Sequence, residues 1–154
     1  MLFLLPFFVQ SQENFKWDII TDSLDQSKSE IFAKVKESLA SVSSPYKLLL
    51  EDSESGVIKV ICIQKITNGN YYAYFKYETK YMVKDNKLRV VTGTIYCSKA
   101  SKYPYPKPSE IYPGKKACSL KEDQYYAVMN SLKSMINLKI KLNISAVKKE
   151  DSDW

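Results

Sequence analysis

The chain of 154 residues lacks histidine and contains only four glycines. Without histidine, the Ser/His/Asp and Cys/His catalytic arrangements, histidine zinc sites and the most common general acid or base near neutral pH are excluded. The sequence also has no glycine-rich phosphate loop and no CxxC pair. Glu51, Asp52 and Glu54 form the densest acidic cluster, but they straddle a predicted turn, where carboxylates act as solvated turn formers. The sequence therefore predicts no catalytic residue, no cofactor and no metal ligand, and it favours a protein that is not an enzyme.

The composition is typical of one globular domain. Hydrophobic residues make up 45% of the chain and charged residues 26%, so folding can bury a substantial apolar core. The net charge is +6, and the basic excess lies in residues 98–149, which contain eleven lysines and three acidic residues. This excess raises the affinity for anionic partners in general. A solvated, lysine-rich helix face is the simpler interpretation.

The N-terminus predicts a secretory signal peptide in residues 1–11. An apolar run from Leu2 to Val9 is far shorter than the roughly 20 residues that a membrane span requires, and small residues precede a cleavage site before Gln12. No basic residue precedes the run, so we interpret the signal as truncated at its start. A buried N-terminal strand or helix is the alternative. We expect a secreted or periplasmic protein with no membrane span in the mature chain.

The three cysteines gain a structural role if the protein works in an oxidising compartment. Cys97 and Cys118 flank a proline-rich loop at residues 98–117, and a disulfide between them would clamp this loop at both ends. The alternative is that Cys62, Cys97 and Cys118 are small buried hydrophobic residues.

The hydrophobic pattern predicts strands and helices separated by short turns. Ser27 and Glu30 have the spacing of a capping box, and Ser119 and Glu122 repeat it before a last helix of about five turns. The segment 137–147 alternates apolar and polar residues, so it is either a late strand or a frayed extension of that helix. The predicted strands cover residues 14–21, 46–51, 57–67, 71–84 and 87–97.

These elements follow the order β-α-β-β-β-β-α, which indicates the fold class α+β. Consecutive strands joined by such short turns must be antiparallel neighbours. We expect an antiparallel five-stranded sheet with two helices packed on one face, because amphipathic helices cover the apolar face of a sheet. The domain is expected to span residues 12–144, including the loop, and to be followed by a polar tail at residues 145–154.

Three stretches carry a resemblance to a known family. They are "SKSEIFAKVKESLAS" after a short first strand, "EDSESGVIKVICIQ" as an acidic turn that enters a strand, and "YYAYFKYETKYMVKDNKLRVVTGTIYC" as a central hairpin. Over residues 14–137 the sequence resembles the secreted Gram-negative bacterial domain of unknown function 4468, which has a TATA-binding-protein-like fold. The resemblance implies this fold and secretion. It assigns no site residue, and the fold alone does not imply DNA binding.

The stretch "YYAYFKYETKY" separates into two faces when it is placed on a strand. One face is apolar and suits a core. The other alternates in charge and includes Tyr72 and Tyr74, which are candidate partner-binding residues. The proline-rich loop offers four more candidates, although a passive connector is the simpler interpretation of this loop. These four are Tyr103, Tyr105, Lys107 and Tyr112.

The sequence favours a secreted, non-catalytic domain that binds an unknown protein, a glycan or a small apolar ligand. The binding surface is expected in a groove between sheet and helices or on the proline-rich loop. A nucleic acid is an unlikely partner, because Glu78 lies on the same face as Tyr72 and Tyr74 and the basic excess lies elsewhere. One alternative is a hydrolase of an envelope or host-derived polymer, which needs a cleft with converging carboxylates. The other is a structural subunit of an envelope assembly, which needs a large exposed apolar patch.

Overall fold

The computed structural model describes residues 17–41, 46–100, 107–108 and 118–148. In these ranges no helix combines the length and the apolar character that a membrane crossing requires. The order of the elements along the chain begins as predicted, with a strand, a helix and then four strands. The elements are β1 (Trp17–Thr21), α1 (Lys28–Ser41), β2 (Tyr46–Asp52), β3 (Val57–Asn68), β4 (Tyr71–Lys84), β5 (Lys87–Thr92), β6 (Tyr96–Ser98), β7 (Lys107–Pro108) and α2 (Glu122–Val147).

The five longer strands form one antiparallel sheet in the order β1-β5-β4-β3-β2. Both helices contact the same face of β4, which we call the inner face, and neither packs on the opposite, outer face. Alternate residues of β4 are buried on the inner face, where Phe75, Tyr77, Tyr81 and Val83 pack into the core. The α+β class and the two helices on one face of the sheet are therefore confirmed.

The strand predicted at residues 87–97 is divided in two, which adds strands to the five expected. Thr92 on β5 faces Thr79 of β4, and Tyr96 on β6 faces Lys76 of β4. Between these pairs, two residues of β4 face three residues of the other segment, which is the geometry of a β-bulge. The amide of Gly93 donates to the Glu78 carbonyl at 2.9 Å inside this break. The short strand β7 pairs with β6 and extends the sheet further.

The start of α1 agrees with the sequence, and the start of α2 does not. The Ser27 amide donates to Glu30 Oε2 at 2.8 Å, and the Glu30 amide points back to Ser27 Oγ at 3.4 Å, which completes a capping box. Ser119 instead has a left-handed φ of 56°. The N-cap of α2 is Lys121, whose amide donates to Gln124 Oε1 at 3.1 Å. The capping box predicted at Ser119 is therefore wrong by two residues.

Helix α2 continues to Val147 and includes residues 137–147, for which the sequence allowed either a late strand or an extension of the helix. Its 26 residues make about seven turns instead of the five expected. The buried residues Ile136, Ile140, Asn143 and Val147 recur every three or four positions, so this segment follows the helical period. The helix also enters the first three residues of the region assigned to a polar tail.

Gly56 and Gly69 allow the cost of a close backbone contact to be measured. Both have a left-handed φ, of 70° and 58°. A Cβ on Gly56 would lie 2.3 Å from the Val83 carbonyl oxygen, whereas a Cβ on Gly69 would meet no atom within 4 Å. The Val83 amide also donates to the Gly56 carbonyl at 2.7 Å, which keeps the two segments together.

We predict that Gly69→Ala lowers the free energy of unfolding by about 1 kcal/mol, the cost of a left-handed alanine. Gly56→Ala adds a clash with backbone and is expected to lower it by at least about 3 kcal/mol. Urea denaturation followed by circular dichroism measures both values. Equal losses for the two variants would show that the contact with Val83 is not a constraint.

Candidate functional site

A groove lies between the two helices and the inner face of β2, β3 and β4. We call it the helix–sheet groove. The free space at its centre is about 30 Å³, which holds one or two water molecules. Its wall is formed by Leu39, Tyr46, Val60, Cys62, Tyr77, Thr79, Tyr81, Ile136, Lys139, Ile140 and Asn143. The sequence anticipated a groove in this place but did not identify the polar side chains that face it.

A chain of hydrogen bonds that includes two residues of the wall joins both helices to the sheet. Ser38 Oγ of α1 donates to Asn143 Oδ1 of α2 at 2.6 Å. Asn143 Nδ2 then donates to the Tyr81 hydroxyl of β4 at 2.7 Å. All three residues are buried, so each polar group replaces the water that it loses on folding. This chain fixes α2 over β4 and thereby sets the width of the groove.

Lys139 contributes the positive charge of the groove. Its Nζ donates to Gln64 Oε1 at 3.0 Å, and Gln64 is held from its other side by a contact between Nε2 and the Met135 sulfur. Desolvation lowers the pKa of Lys139, and the Cys62 thiol partly opposes this shift. The ammonium is therefore positioned by one hydrogen bond and is only partly hydrated.

The Tyr77 hydroxyl is the unusual polar group of the groove. The residue is 2% exposed, and its hydroxyl has no hydrogen-bond partner of standard geometry among the described residues. Burial, followed by the nearby Cys62 thiol, raises the pKa of Tyr77. Cys62 lies directly across the β3–β4 ladder, and the interaction between its thiol and the hydroxyl contributes to the pKa of both groups, but a thiol is a weak hydrogen-bond partner. An unpaired buried hydroxyl is unfavourable by about 1–3 kcal/mol, so this group is available to a bound molecule.

Cys62 lies at the centre of these groups as a free, buried thiol. The other two cysteines, Cys97 and Cys118, form a disulfide with a Cα–Cα distance of 6.1 Å. This is the pairing that their positions around the proline-rich loop suggested. Burial raises the pKa of Cys62, with a smaller opposing contribution from Lys139. A thiol with a raised pKa is a poor nucleophile near neutral pH.

The candidate residues Tyr72 and Tyr74 lie on the outer face, away from the groove. Their rings meet edge to face with centroids 5.9 Å apart. The Lys65 ammonium lies 4.2 Å from the centroid of the Tyr72 ring, which is a cation–π distance. These three side chains therefore stabilise one another on the outer surface of the sheet.

The other candidate residues belong to the proline-rich loop. Lys107 is part of β7, and its backbone is the partner of Cys97 in the pairing of β7 with β6. Tyr103, Tyr105 and Tyr112 lie outside the described residues, as do the predicted signal peptide and most of the polar tail.

The acidic cluster around the β2–β3 turn has local partners. Glu51 forms an ion pair with Lys36 of α1. Asp52 Oδ1 accepts a hydrogen bond from the Ser55 amide at 3.0 Å, and its interactions with Ser55 lower the pKa of Asp52. These carboxylates therefore act as turn and surface groups, as the sequence indicated, and do not line the groove.

Sequence reasoning overlooked Lys139, Cys62 and Tyr77 as members of one site. Tyr77 falls on the apolar face of the stretch "YYAYFKYETKY", and the sequence offers a small buried hydrophobic residue as one interpretation of Cys62. The available signal was a tyrosine on a core face, because a buried hydroxyl needs a partner. A lysine that directly precedes Ile140 on the buried stripe of α2 was a second signal.

Strand β2 exposes three consecutive leucines at the edge of the sheet. Leu48, Leu49 and Leu50 are 46%, 44% and 43% exposed. The register of β2 against β3 shifts between Leu48 and Leu50, so the edge is irregular at this point. Irregular edges discourage pairing with further strands. The exposed leucines are therefore weak support for assembly through this edge.

The fold has solved counterparts. A TBP-like protein from Parabacteroides distasonis superposes with a TM-score of 0.67 at 15% sequence identity, over 86% of this chain and 91% of that chain. A DUF4468 family protein from Bacteroides ovatus gives a TM-score of 0.61 at 10% identity, over 90% of this chain and 89% of that one. The chain has a TBP-like fold. No protein-family model matches the sequence, and no curated protein is significantly similar to it. The TBP-like comparison therefore gives the architecture, and the groove has to be interpreted from its own side chains.

We predict that the unreduced protein contains one reactive thiol per chain after unfolding, and that this thiol is Cys62. In the folded protein, burial and the raised pKa of Cys62 should slow its modification by iodoacetamide at least 100-fold relative to the unfolded chain. Mass spectrometry at successive times measures both quantities. Three alkylated cysteines without reductant, or a native rate similar to the unfolded rate, would contradict the described site.

Proposed function

We propose that the protein is a non-catalytic binding domain whose ligand site is the helix–sheet groove. The observation that carries this proposal is Tyr77, which lines the groove and whose buried hydroxyl has no hydrogen-bond partner of standard geometry among the described residues. Buried polar groups are almost always paired, and the exceptions call for an explanation such as a missing ligand or water. Lys139 adds a charged group to a wall that is mostly apolar, which is the usual character of a ligand site.

Binding is favoured over the alternative of polymer hydrolysis by the chemistry of the wall. None of the described residues that line the groove is a carboxylate, and hydrolysis of a glycan by the common mechanism uses two. Burial moves the pKa of Cys62 upward, away from the range in which a thiol attacks a substrate. The groove therefore supports recognition better than it supports bond cleavage.

A structural subunit is the second candidate, and the exposed leucines of β2 favour it. An assembly that covers Leu48, Leu49 and Leu50 would remove three large apolar side chains from water. The stretch is short, however, and its register against β3 is irregular, which discourages further strand pairing. We therefore rank this function below ligand binding.

We predict that small molecules which enter the groove protect Cys62 from alkylation. A suitable set contains indole, benzamidine and benzoate, which are neutral, cationic and anionic. At least one of them should slow alkylation of Cys62 several-fold and raise the melting temperature, because a ligand that binds only the folded state stabilises it.

The matched control for this experiment moves the thiol to the surface. The double variant Cys62→Ala, Ser134→Cys carries its thiol on the exposed face of α2, where a groove ligand should leave the alkylation rate unchanged. Equal protection of both thiols, or failure of these probes and also of smaller aliphatic ones to protect Cys62, would contradict a ligand site in the groove.

The proposal includes a secreted or periplasmic location. The apolar run from Leu2 to Val9 supports it. The bond between Cys97 and Cys118 supports it as well, because disulfides persist mainly in oxidising compartments.

We predict that the chain, placed behind a basic start such as Met-Lys-Lys in a Gram-negative host, is exported and cut before Gln12. Periplasmic fractionation and N-terminal sequencing test this result. Replacement of Leu4 and Leu5 by arginine should keep the protein in the cytoplasm, since a charged run does not act as a signal. If the chain with the basic start and with Leu4 and Leu5 in place stays in the cytoplasm at full length, the result would argue for the alternative of a buried N-terminal element.

A further inference from the structure

Hydrogen bonding in the helix–sheet groove is biased toward donors. Asn143 Oδ1 in the wall accepts from Ser38, and Gln64 Oε1, which is not part of the wall, accepts from Lys139. The Tyr77 hydroxyl, which can donate one hydrogen bond and accept others, has no partner of standard geometry among the described residues. The Lys139 ammonium only donates, and one of its three protons goes to Gln64. A molecule that contacts Lys139 must therefore supply an acceptor, and the Tyr77 hydroxyl can donate to the same molecule.

The charge of the groove is positive and is not balanced by its wall. Lys139 is the charged member of the described lining, and none of the other lining residues is acidic. A partly dehydrated cation without a counter-charge is unfavourable, and desolvation lowers the pKa of Lys139 accordingly. An anionic acceptor would compensate the charge and form stronger hydrogen bonds than a neutral one.

Part of the remaining wall is aliphatic, and the groove is narrow. The free space of about 30 Å³ holds one or two water molecules, so a larger occupant requires the groove to widen. A short unbranched carbon chain requires less widening than a sugar or an aromatic ring. The side chains that would contact such a chain are Leu39, Val60, Ile136 and Ile140.

We propose that the helix–sheet groove binds a small aliphatic carboxylate, with its head group on Tyr77 and Lys139 and its carbon chain against the aliphatic wall. This inference rests on the proposed function and adds the chemical class of the ligand. A water molecule is the competing occupant, since one water satisfies the Tyr77 hydroxyl. Water would leave the charge of Lys139 without compensation.

Three four-carbon compounds that differ only in their head groups test the proposal. Butyrate, 1-butanol and butylammonium are compared on the full chain at equal ionic strength, and the alkylation rate of Cys62 reports occupancy. Butyrate should protect Cys62 with a midpoint concentration at least tenfold below that of butanol, and butylammonium should not protect.

Two variants separate the head-group contacts from effects on folding. Lys139→Met keeps the apolar stem, removes the charge, and should weaken butyrate at least tenfold while changing the butanol midpoint by less than twofold. Lys141→Met is the matched control at an exposed position of α2 and should leave both midpoints unchanged. Tyr77→Phe should weaken butyrate several-fold and raise the melting temperature of the free protein, because it removes an unpaired buried hydroxyl.

Each outcome decides between the proposals. Equal protection by butanol or butylammonium, or butyrate binding that is unaffected by Lys139→Met, overturns the carboxylate and leaves the groove as a ligand site. Absence of protection by all three compounds overturns the carboxylate as well, and protection by indole, benzamidine or benzoate then shows that the groove still binds ligands. If those probes also fail, the proposed function fails too. A lowered melting temperature in Tyr77→Phe together with unchanged butyrate binding assigns Tyr77 to folding alone.

Discussion

The rest of the structure depends on the one-sided burial of strand β4. Its 14 residues alternate between a buried face and a partly exposed face without interruption, and β4 pairs with β3 on one side and with β5 and β6 on the other. A strand in this position determines where apolar surface must be covered, because each neighbouring strand extends the same face. Both helices therefore pack on the inner face. The outer face is left to lysines, tyrosines and ion pairs such as that between Lys59 and Glu78.

This division of faces explains the aromatic stretch that dominates the sequence of β4. Tyr77 and Tyr81 are core residues because their positions share the phase of Phe75. Tyr72 and Tyr74 have the opposite phase, and they contact each other and Lys65. Cross-strand aromatic and cationic contacts of this kind stabilise a solvated sheet surface by a few tenths of a kcal/mol to about 1 kcal/mol. Folding therefore explains most of the aromatic content. It does not explain the buried hydroxyl of Tyr77.

The sequence predicts those parts of the fold that depend on local patterns. The alternation of β4 and the turn at Asn68, Gly69 and Asn70 are each visible within a few residues of sequence. The strands, their antiparallel pairing and the face of the sheet that the helices cover follow from them. The bulge at Gly93 is different, because it appears only when β4 is in place to pair with both β5 and β6. The alternation in residues 137–147 favoured a strand that does not form. Every second residue there is apolar, but the residues that are buried recur every three or four positions, as in a helix. The groove was the least predictable feature, because Lys139 and Tyr77 meet only through the packing of α2 on the sheet.

Tyr77 and Tyr81 show how a core residue differs from a site residue. They are four residues apart on the same face of β4, both are nearly fully buried, and burial raises the pKa of each hydroxyl. The Tyr81 hydroxyl accepts a hydrogen bond from Asn143, which is held in turn by Ser38. The Tyr81 hydroxyl therefore has a hydrogen-bond partner within the fold. The Tyr77 hydroxyl has no such partner, although a phenylalanine there would fill the same volume at lower cost. A chain that keeps the hydroxyl in a groove that also contains a lysine gives up stability at this point, and such local losses are characteristic of functional sites. The contrast between two otherwise equivalent tyrosines is therefore the strongest structural reason for placing recognition in the groove.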